Sequence, residues 1–298
     1  MDSSSIVDRP DAAPRPEDAE ARRARLHAMW AAVAPAWGRH AAYADARGAP
    51  LAERMLALAA PAPGDRVLEL ACGPGGLGLA AAPRVVPDGE VVLSDVAAEM
   101  TAIAAARAEA LGRANVRTRV LDLERIAEPD GAYDVVLCRE GLMFALEPAR
   151  AAGEIRRVLR PGGRAVIAVW GPRARNPWLG VVLDTVSAVT GAPVPPPGVP
   201  GPFSLDDRDR LAGLLSGAGL EHVDVGEVPV PLRAGSFDEW WDRTCALAGP
   251  LANRLAALPA EAARAVRTWA RAAVTPYETA DGLELPGLSL VAAARRAR

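Results

Sequence analysis

The sequence contains no lysine. All 34 of its basic residues are therefore arginines, and 37 acidic residues give a formal net charge of −3. A nucleic-acid-binding protein usually gathers an excess of positive charge on one face, and no basic excess or stripe is present here. We therefore expect no nucleic-acid partner.

Cysteine is scarce as well, with Cys72, Cys138 and Cys245 scattered along 298 residues. A chain of this length buries about three-quarters of its unfolded surface, so it needs no disulfide bonds. The three cysteines show no spacing typical of metal ligands, and we expect a reduced, cytoplasmic protein without a metal. Cys72 is expected to pack behind a loop rather than to react.

Long apolar runs are also absent. No uninterrupted apolar segment is long enough to cross a bilayer, and the first residues, MDSSS, lack the positive region and apolar core of a signal peptide. Residues 1–16 are rich in Ser, Asp and Pro and are predicted to form a disordered tail. We therefore expect no membrane span.

The most informative segment is VLELACGPGGLG, residues 67–78. A short apolar run ends in a loop where Gly73, Gly75 and Gly78 allow a sharp turn and a close approach of the backbone to a ligand. The next apolar run ends at Asp95, roughly 20 residues beyond the loop, where an acid suits the diol of a ribose. The pattern indicates a strand, a turn and a helix that bind a nucleoside-containing cofactor.

Two further acids discriminate between cofactors. Glu69 precedes Gly73 by four residues, which is a poor position beside a pyrophosphate but a suitable one beside a cationic ligand. Asp122 follows a third strand-like run and could accept a hydrogen bond from an adenine amino group. Both acids favour a cationic adenosyl cofactor, although the spacing of the glycines alone would also fit a dinucleotide.

Strand and helix patterns alternate through the middle of the chain. Strands are predicted near 66–71, 90–95, 115–121, 132–138 and 163–170, with helices near 75–82, 97–112 and 147–159. Such alternation indicates an α/β fold with a parallel sheet covered on both faces. Ligands of such sheets bind outside the carboxyl ends of the strands, where Gly73, Asp95, Asp122 and Arg139 all fall.

The flanking regions are less regular. A helix is predicted over 17–33 and is ended by Pro35; a short one follows, and Pro50 opens a third. Beyond Trp170 the pattern predicts a helix over 177–189, a helix beginning at the capping sequence of Ser204, a strand over 220–230, a largely helical stretch over 236–273 and a last strand over 288–294.

The glycine loop, Asp95, Asp122 and the sequence Arg160-Pro-Gly-Gly163 together resemble the class I S-adenosylmethionine-dependent methyltransferases, most closely the ubiquinone/menaquinone-biosynthesis-type small-molecule group. The resemblance is close over Gly64–Trp170, with Ala71 in place of the first loop glycine of the family. It implies a Rossmann-like methyltransferase fold with a mostly parallel seven-stranded sheet and helices on both faces. The last two strands of that fold form an antiparallel pair.

The resemblance also suggests a division of the chain. About 50 residues separate the last two strands, which indicates a helical cap inserted over the substrate side. The expected parts are a tail over 1–16, an amino-terminal helical lid over 17–60, a cofactor-binding core over 61–170, and the remainder of the sheet with the cap over 171–298.

The resemblance implies a cofactor site for S-adenosylmethionine, with S-adenosylhomocysteine as the product. Asp95 would take the ribose hydroxyls, Asp122 the adenine edge, and Arg139 would lie at the methionine tail. The complete set implied is Trp37, Glu69, Ala71, Gly73, Gly75, Asp95, Val96, Met100, Asp122, Leu123 and Arg139.

The acceptor side is less defined. His40 and Glu140 are the candidate catalytic bases, because either could take a proton from an oxygen or nitrogen nucleophile. The predicted lining residues are Trp30, Met143, Phe144 and Trp178, whose apolar and aromatic side chains favour an apolar or aromatic acceptor over a sugar or a peptide.

The sequence thus predicts a methyltransferase that acts on O, N or C of a small metabolite, in quinone or specialised-metabolite biosynthesis. Three alternatives stay open: a cyclase that retains the cofactor, a nicotinamide oxidoreductase, and a non-catalytic cofactor-binding partner. A dehydrogenase would need a proton donor such as a Tyr-x-x-x-Lys pair, which a lysine-free chain lacks. The small-molecule substrate is the expected partner, and the oligomeric state is open, with a homodimer as one option.

Overall fold

The computed structural model describes residues 16–298, so the predicted tail lies outside the described residues except for Pro16. The strands are β1 Arg66–Leu70, β2 Glu90–Asp95, β3 Val116–Val120, β4 Tyr133–Arg139, β5 Leu159–Trp170, β6 Leu220–Pro229, β7 Leu232–Ala234, β8 Glu278–Thr279, β9 Gly282–Leu285 and β10 Leu288–Arg296. The helices are α1 Pro16–Arg39, α2 Ala41–Ala59, α3 Gly76–Val85, α4 Ala98–Ala110, α5 Pro148–Val158, α6 Pro177–Thr190, α7 Arg208–Gly217, α8 Phe237–Leu247, α9 Pro250–Ala256 and α10 Ala260–Val274.

Seven strands form the main sheet in the order β3-β2-β1-β4-β5-β10-β6. The first five strands are parallel, and β10 runs antiparallel to both β5 and β6. The predicted Rossmann-like methyltransferase fold is therefore confirmed. Chain order reverses between β1 and β4, and a crevice opens at such a switch point beyond the carboxyl ends of the strands.

The middle of the sheet is buried on both faces. Successive residues of a strand point to opposite faces, and Val67, Leu68, Glu69 and Leu70 of β1 are each at most 1% exposed. Helices therefore cover both sides of β1. α2 packs across β4, β5, β10 and β6, while α1 packs on α4 and α8, so these two helices close over one edge of the sheet.

Two prolines that were predicted to bound helices lie inside them instead. α1 continues through Pro35, and α2 continues through Pro50. A proline inside a helix removes a backbone hydrogen bond and costs about 3 kcal/mol, but Val33 beside Pro35 is buried in a cluster with Met100, and such packing offsets the loss. The boundary between α1 and α2 lies at His40, where φ is −101° and ψ is 13°.

The helix that was predicted to begin at Ser204 begins at Arg208. Its N-cap is Asp207, whose carboxylate accepts a hydrogen bond of 2.8 Å from the N–H of Arg210. The Ser204 hydroxyl instead accepts from the N–H of Gly201. Ser204 therefore stabilises the preceding turn and not the helix.

A small antiparallel sheet between β6 and β10 was not predicted. Its strands lie in the order β7-β9-β8 and contain two to four residues each, which is too short for an alternating pattern to be visible. The stretch predicted as largely helical over 236–273 forms α8, α9 and α10.

None of the helices in the described part of the chain combines the length and apolar character that crossing a membrane requires.

The turn after β1 is stabilised by a close approach between two chain segments. Ala71 has a φ of +50°, in the left-handed region that favours glycine. Its Cβ faces Gly141, after β4, where an added Cβ would lie only 2.4 Å away. Gly141 itself has a φ of −111°, which any residue adopts, so it is the space and not the backbone conformation that requires a glycine there.

We therefore expect Gly141→Ala to destabilise the protein by about 1–3 kcal/mol through overpacking, with a correspondingly lower Tm. Adding Ala71→Gly should restore most of that loss, because it removes the Ala71 Cβ with which the new Cβ collides. Glycine also adopts the left-handed φ of this position without strain. Thermal denaturation of the two single variants and the double variant measures both effects.

Gly153→Ala is the control, because an added Cβ there meets no atom of the described residues within 4 Å, and we expect no loss of Tm. Additive losses in the double variant would contradict the proposed contact.

Candidate active site

A cavity lies beyond the carboxyl ends of β1, β2, β4 and β5 and beneath α1 and α2. It brings together most of the residues that the sequence singled out. Those that line it are Trp30, Trp37, Glu69, Ala71, Gly73, Asp95, Val96, Met100, Asp122, Leu123, Arg139, Glu140, Met143, Phe144 and Trp178.

Gly75 and His40 are not brought to the cavity wall. Gly75 caps α3 with a φ of +83°, and an added Cβ would lie 2.9 Å from Leu93 and 3.1 Å from Ala104. A glycine is therefore required at position 75 so that the loop can pack closely against β2 and α4. His40 lies at the junction of α1 and α2, where burial and the nearby Arg243 lower its pKa; a side chain outside the cavity wall is poorly placed to serve as the base.

Two buried acids hold the glycine loop. Glu69, at the end of β1, accepts a hydrogen bond of 2.7 Å from the N–H of Gly78 at the start of α3. Asp95, at the end of β2, accepts one of 2.9 Å from the N–H of Gly73 and one of 3.0 Å from the N–H of Ala97. The loop is thus fixed from two adjacent strands.

The loop is also braced from outside. Arg107 of α4 donates a hydrogen bond of 2.5 Å to the carbonyl of Pro74 and forms an ion pair with Asp45 of α2. Cys72, as predicted, is buried beside the loop, and burial raises the pKa of its thiol. The thiol is therefore a packing group that also forms part of the cavity wall.

Burial strongly perturbs the two loop acids. It raises the pKa of Glu69 to about 7, against the opposing effects of Arg139 and of the Gly78 hydrogen bond. Burial also raises the pKa of Asp95, against the hydrogen bonds that its carboxylate accepts from the backbone. The glycine loop and these acids line one half of the cavity. A ligand that brings a positive charge or hydroxyl donors into this half would stabilise both carboxylates in their ionised form.

Arg23, which is 4% exposed, connects α1 to the part of the cavity wall that Asp122 and Glu124 form. Its Nε lies 3.0 Å from Oδ2 of Asp122, and its Nη2 forms an ion pair with Glu124. Arg23 was not predicted to lie at the site, because one arginine among several in α1 has no distinguishing pattern. His27 lies beside the same acid, with its Nε2 3.9 Å from Oδ2 of Asp122.

Arg139 and Glu140 mark the boundary of the two halves, at the end of β4. The Arg139 guanidinium lies against α2 at Gly48, where an added Cβ would come within 2.9 Å of Nη1. Glu140 has a left-handed φ of +59°, a strained conformation that is frequent at functional sites. Its Oε1 accepts a hydrogen bond of 3.3 Å from the hydroxyl of Ser289, and burial raises its pKa against the effects of Arg139 and Arg47.

Aromatic side chains line the second half. The rings of Trp170 and Trp178 meet edge to face at 4.9 Å, and those of Trp30 and Phe144 do the same at 4.9 Å. Trp240 is fully buried beside Phe237 instead and does not line the cavity.

Four polar residues of this half were not predicted, which are Tyr43, Arg47, Arg243 and Thr244. Tyr43 and Arg47 are four residues apart and share one face of α2. That spacing was a usable signal, but nothing in the sequence shows which face of this helix meets the cavity. Among the described residues, no group of three or more His, Cys, Asp or Glu side chains is arranged to hold a metal ion.

Comparison with known proteins is consistent with this geometry. Residues 67–163 match the family model described as a methyltransferase domain. The chain is 31% identical over 200 residues to the nocamycin O-methyltransferase of Saccharothrix syringae, covering 63% of this chain and 71% of that one. It is 32% identical over 183 residues to a ubiquinone/menaquinone biosynthesis C-methyltransferase of Ralstonia pickettii, covering 57% and 72%. The YcgJ protein of Bacillus subtilis shares the fold, with a TM-score of 0.59 at 20% identity, covering 83% of this chain and 98% of that one.

The perturbed Glu69 gives a testable dependence of stability on pH. Because its folded pKa of about 7 lies above the ordinary 4.5, its contribution to stability is full below pH 4.5 and is lost as the pH rises toward about 7. The loss is on the order of 3 kcal/mol. In Glu69→Gln the amide oxygen still accepts from Gly78, so the Tm of this variant should increasingly exceed that of the ligand-free parent between pH 5 and pH 8.

Glu53→Gln, at an exposed position on α2, serves as the control and should follow the parent at every pH. A difference in Tm between Glu69→Gln and the parent that stays constant over this range would contradict the assignment.

Proposed function

The chain belongs to the class I S-adenosylmethionine-dependent methyltransferases, and on that premise we propose that its methyl acceptor is a small, apolar or aromatic metabolite. The observation that carries this proposal is the division of the cavity. One half is lined by the glycine loop with Glu69, Asp95 and Asp122, whereas the other is lined by aromatic and aliphatic side chains and by the polar group of Tyr43, Arg47, Arg243 and Thr244. The first half suits a cationic nucleoside, and the second suits an acceptor with a largely apolar or aromatic body.

The residues present fit the cofactor. Glu69 and Asp95 are acids whose ionised forms are disfavoured by burial, so a cationic ligand with ribose hydroxyl donors would relieve that cost. We assign the ribose to Asp95, the adenine amino group to Asp122, and the methionine carboxylate to Arg139. The remaining walls of this half, proposed to contact the cofactor, are Trp37, Ala71, Gly73, Val96, Met100 and Leu123.

S-adenosylmethionine, when bound, supplies an electrophilic methyl group with a good leaving group. The task of the chain is therefore to align the acceptor and exclude water, and such orientation can supply about 7–11 kcal/mol of the barrier. The α1 and α2 helices cover the cavity, and the Arg23 ion pairs hold α1 on its floor. Glu140, at the boundary of the halves, is placed to take a proton from a hydroxyl or amine nucleophile.

The relatives support an oxygen or a carbon acceptor, because one is named as an O-methyltransferase of nocamycin and another as a C-methyltransferase of ubiquinone/menaquinone biosynthesis. Incubation with methyl-labelled S-adenosylmethionine and a panel of phenols, quinols and aromatic acids tests the proposal. We expect labelled product and S-adenosylhomocysteine in equal amounts. Product that forms from an acceptor without incorporating the label would instead indicate a cyclase that retains the cofactor.

Asp95→Ala should weaken the binding of S-adenosylmethionine and S-adenosylhomocysteine at least about tenfold, because it removes the ribose acceptor and frees the N–H of Gly73. Calorimetric titration measures both affinities. The matched control is Asp88→Ala, an exposed acid just before the opposite end of the same strand, and it should bind both ligands as the parent does. Tight binding of NADH by the parent would contradict the cofactor assignment.

Glu140→Gln should lower kcat about 10²–10⁴-fold with a hydroxyl or amine acceptor, the usual contribution of a general base. Because burial raises the pKa of Glu140 above 4.5, kcat of the parent should rise with pH through that raised pKa and then level off. The rise should be absent from the variant. The pH profile of kcat is the measurement.

Asp242→Asn changes an acid of α8 that is 76% exposed and should leave the profile unchanged. If Glu140→Gln kept the rise with pH, another group would be the base.

A further inference from the structure

Arg47 lies in the half of the cavity that is farther from the glycine loop. Its guanidinium carbon is 4.0 Å from the ring centre of Trp178 and 5.0 Å from that of Trp170. Nη2 is 3.4 Å from the carbonyl oxygen of Val230. The side chain is therefore held over two indole rings, with one long hydrogen bond to the protein.

The charge of Arg47 has no close counter-ion among the residues that the structure describes. Of the side chains that the structure describes, no carboxylate lies within 4.0 Å of its guanidinium, and Nε has no hydrogen-bond partner. Burial lowers the pKa of Arg47, only partly opposed by Tyr43 and Glu140. Arginine nevertheless stays protonated in proteins, so this is a positive charge whose hydrogen-bonding capacity is largely unused.

Other donors lie in the same wall. The hydroxyl groups of Tyr43 and Thr244 have no hydrogen-bond partner among the described residues, and both residues line the cavity. The guanidinium carbon of Arg243 lies 3.7 Å from the ring centre of Tyr43. Buried polar groups are normally satisfied, so this cluster points to a ligand that supplies acceptor oxygens.

We propose that Arg47 is the residue that selects the acceptor, by pairing with an anionic oxygen that the acceptor carries as a carboxylate or an ionised enol. The aromatic body of the acceptor then packs on the apolar side chains that line the same cavity. This assignment rests on the proposed methyltransferase function. The anionic group is the anchor of the acceptor, and a second atom of the acceptor faces the methyl donor.

The order of the strands separates this anchor from the cofactor half. The glycine loop follows β1, Asp95 ends β2 and Asp122 follows β3. On the other side of β4, Trp170 ends β5 and Val230 follows β6. Arg139, at the end of β4, is nearer to the methionine end and is left to bind its carboxylate. Arg47 is thus free for a second anion.

The test uses matched acid and neutral probes, titrated by calorimetry into protein saturated with S-adenosylhomocysteine. One pair is 2-naphthoate and 2-naphthamide, which differ in charge but little in shape. The other pair, 4-hydroxycoumarin and coumarin, replaces the carboxylate by an ionised enol and so distinguishes the two sources of the anion. The variants are Arg47→Gln, Arg47→Lys and, as a control, Arg54→Gln at an exposed position of the same helix.

We expect the parent to bind the acid of at least one pair about tenfold or more tightly than its neutral partner. Arg47→Gln should abolish that preference, Arg47→Lys should keep part of it, and Arg54→Gln should keep it all. The affinity for S-adenosylhomocysteine should be unchanged in all three variants.

Equal affinity for acid and neutral probe in both pairs, including no measurable binding of either, would overturn the proposal. So would a preference that survives Arg47→Gln. A tenfold weaker affinity of Arg47→Gln for S-adenosylhomocysteine would instead assign the guanidinium to the methionine carboxylate. Failure of the parent to bind S-adenosylhomocysteine would count against the methyltransferase function itself, which separates the two outcomes.

Discussion

The carboxylate of Glu69 is the group on which the rest of the site depends. It lies one residue before the end of the central strand β1 and accepts a hydrogen bond from the N–H of Gly78, on the first turn of α3, while being 1% exposed. An ionised acid in that position is unfavourable on its own, as its raised pKa shows, but it fixes the loop between strand and helix. Asp95 on the next strand fixes the other end of the loop, so the walls around the proposed cofactor site are set by two neighbouring strands.

Charge is unevenly distributed along the cavity, and α2 spans the division. Asp45 of this helix pairs with Arg107 beside the glycine loop, whereas Arg47, two residues later, lies over the indoles of the acceptor half. Between them, Arg139 ends β4 and Glu140 directly follows it, which places one basic and one acidic side chain at this strand end. A cationic donor and an acceptor of opposite charge would therefore be oriented by one helix and one strand end.

The parts of the site that the sequence predicts are those whose chemistry is local. A glycine loop followed by Asp95 and Asp122 is recognisable because each acid directly follows an apolar run. Tyr43 and Arg47 were not singled out, because neither follows a strand or a glycine loop, and only the packed structure shows that both line the cavity. Gly75 was expected to line the cofactor site, but a sequence does not distinguish a glycine that borders a ligand from one that borders Leu93 and Ala104.

Several local rules of structure are broken around this one cavity. Ala71 and Glu140 adopt left-handed backbone conformations that disfavour side chains, and Glu69 is buried with a raised pKa. The hydroxyl of Tyr43 has no hydrogen-bond partner within the described part of the chain. Each feature costs stability, and packing of the surrounding sheet and helices must offset it. Such costs persist when the same groups are needed for binding or chemistry, and their convergence on one set of strand ends is independent physical support for a site there.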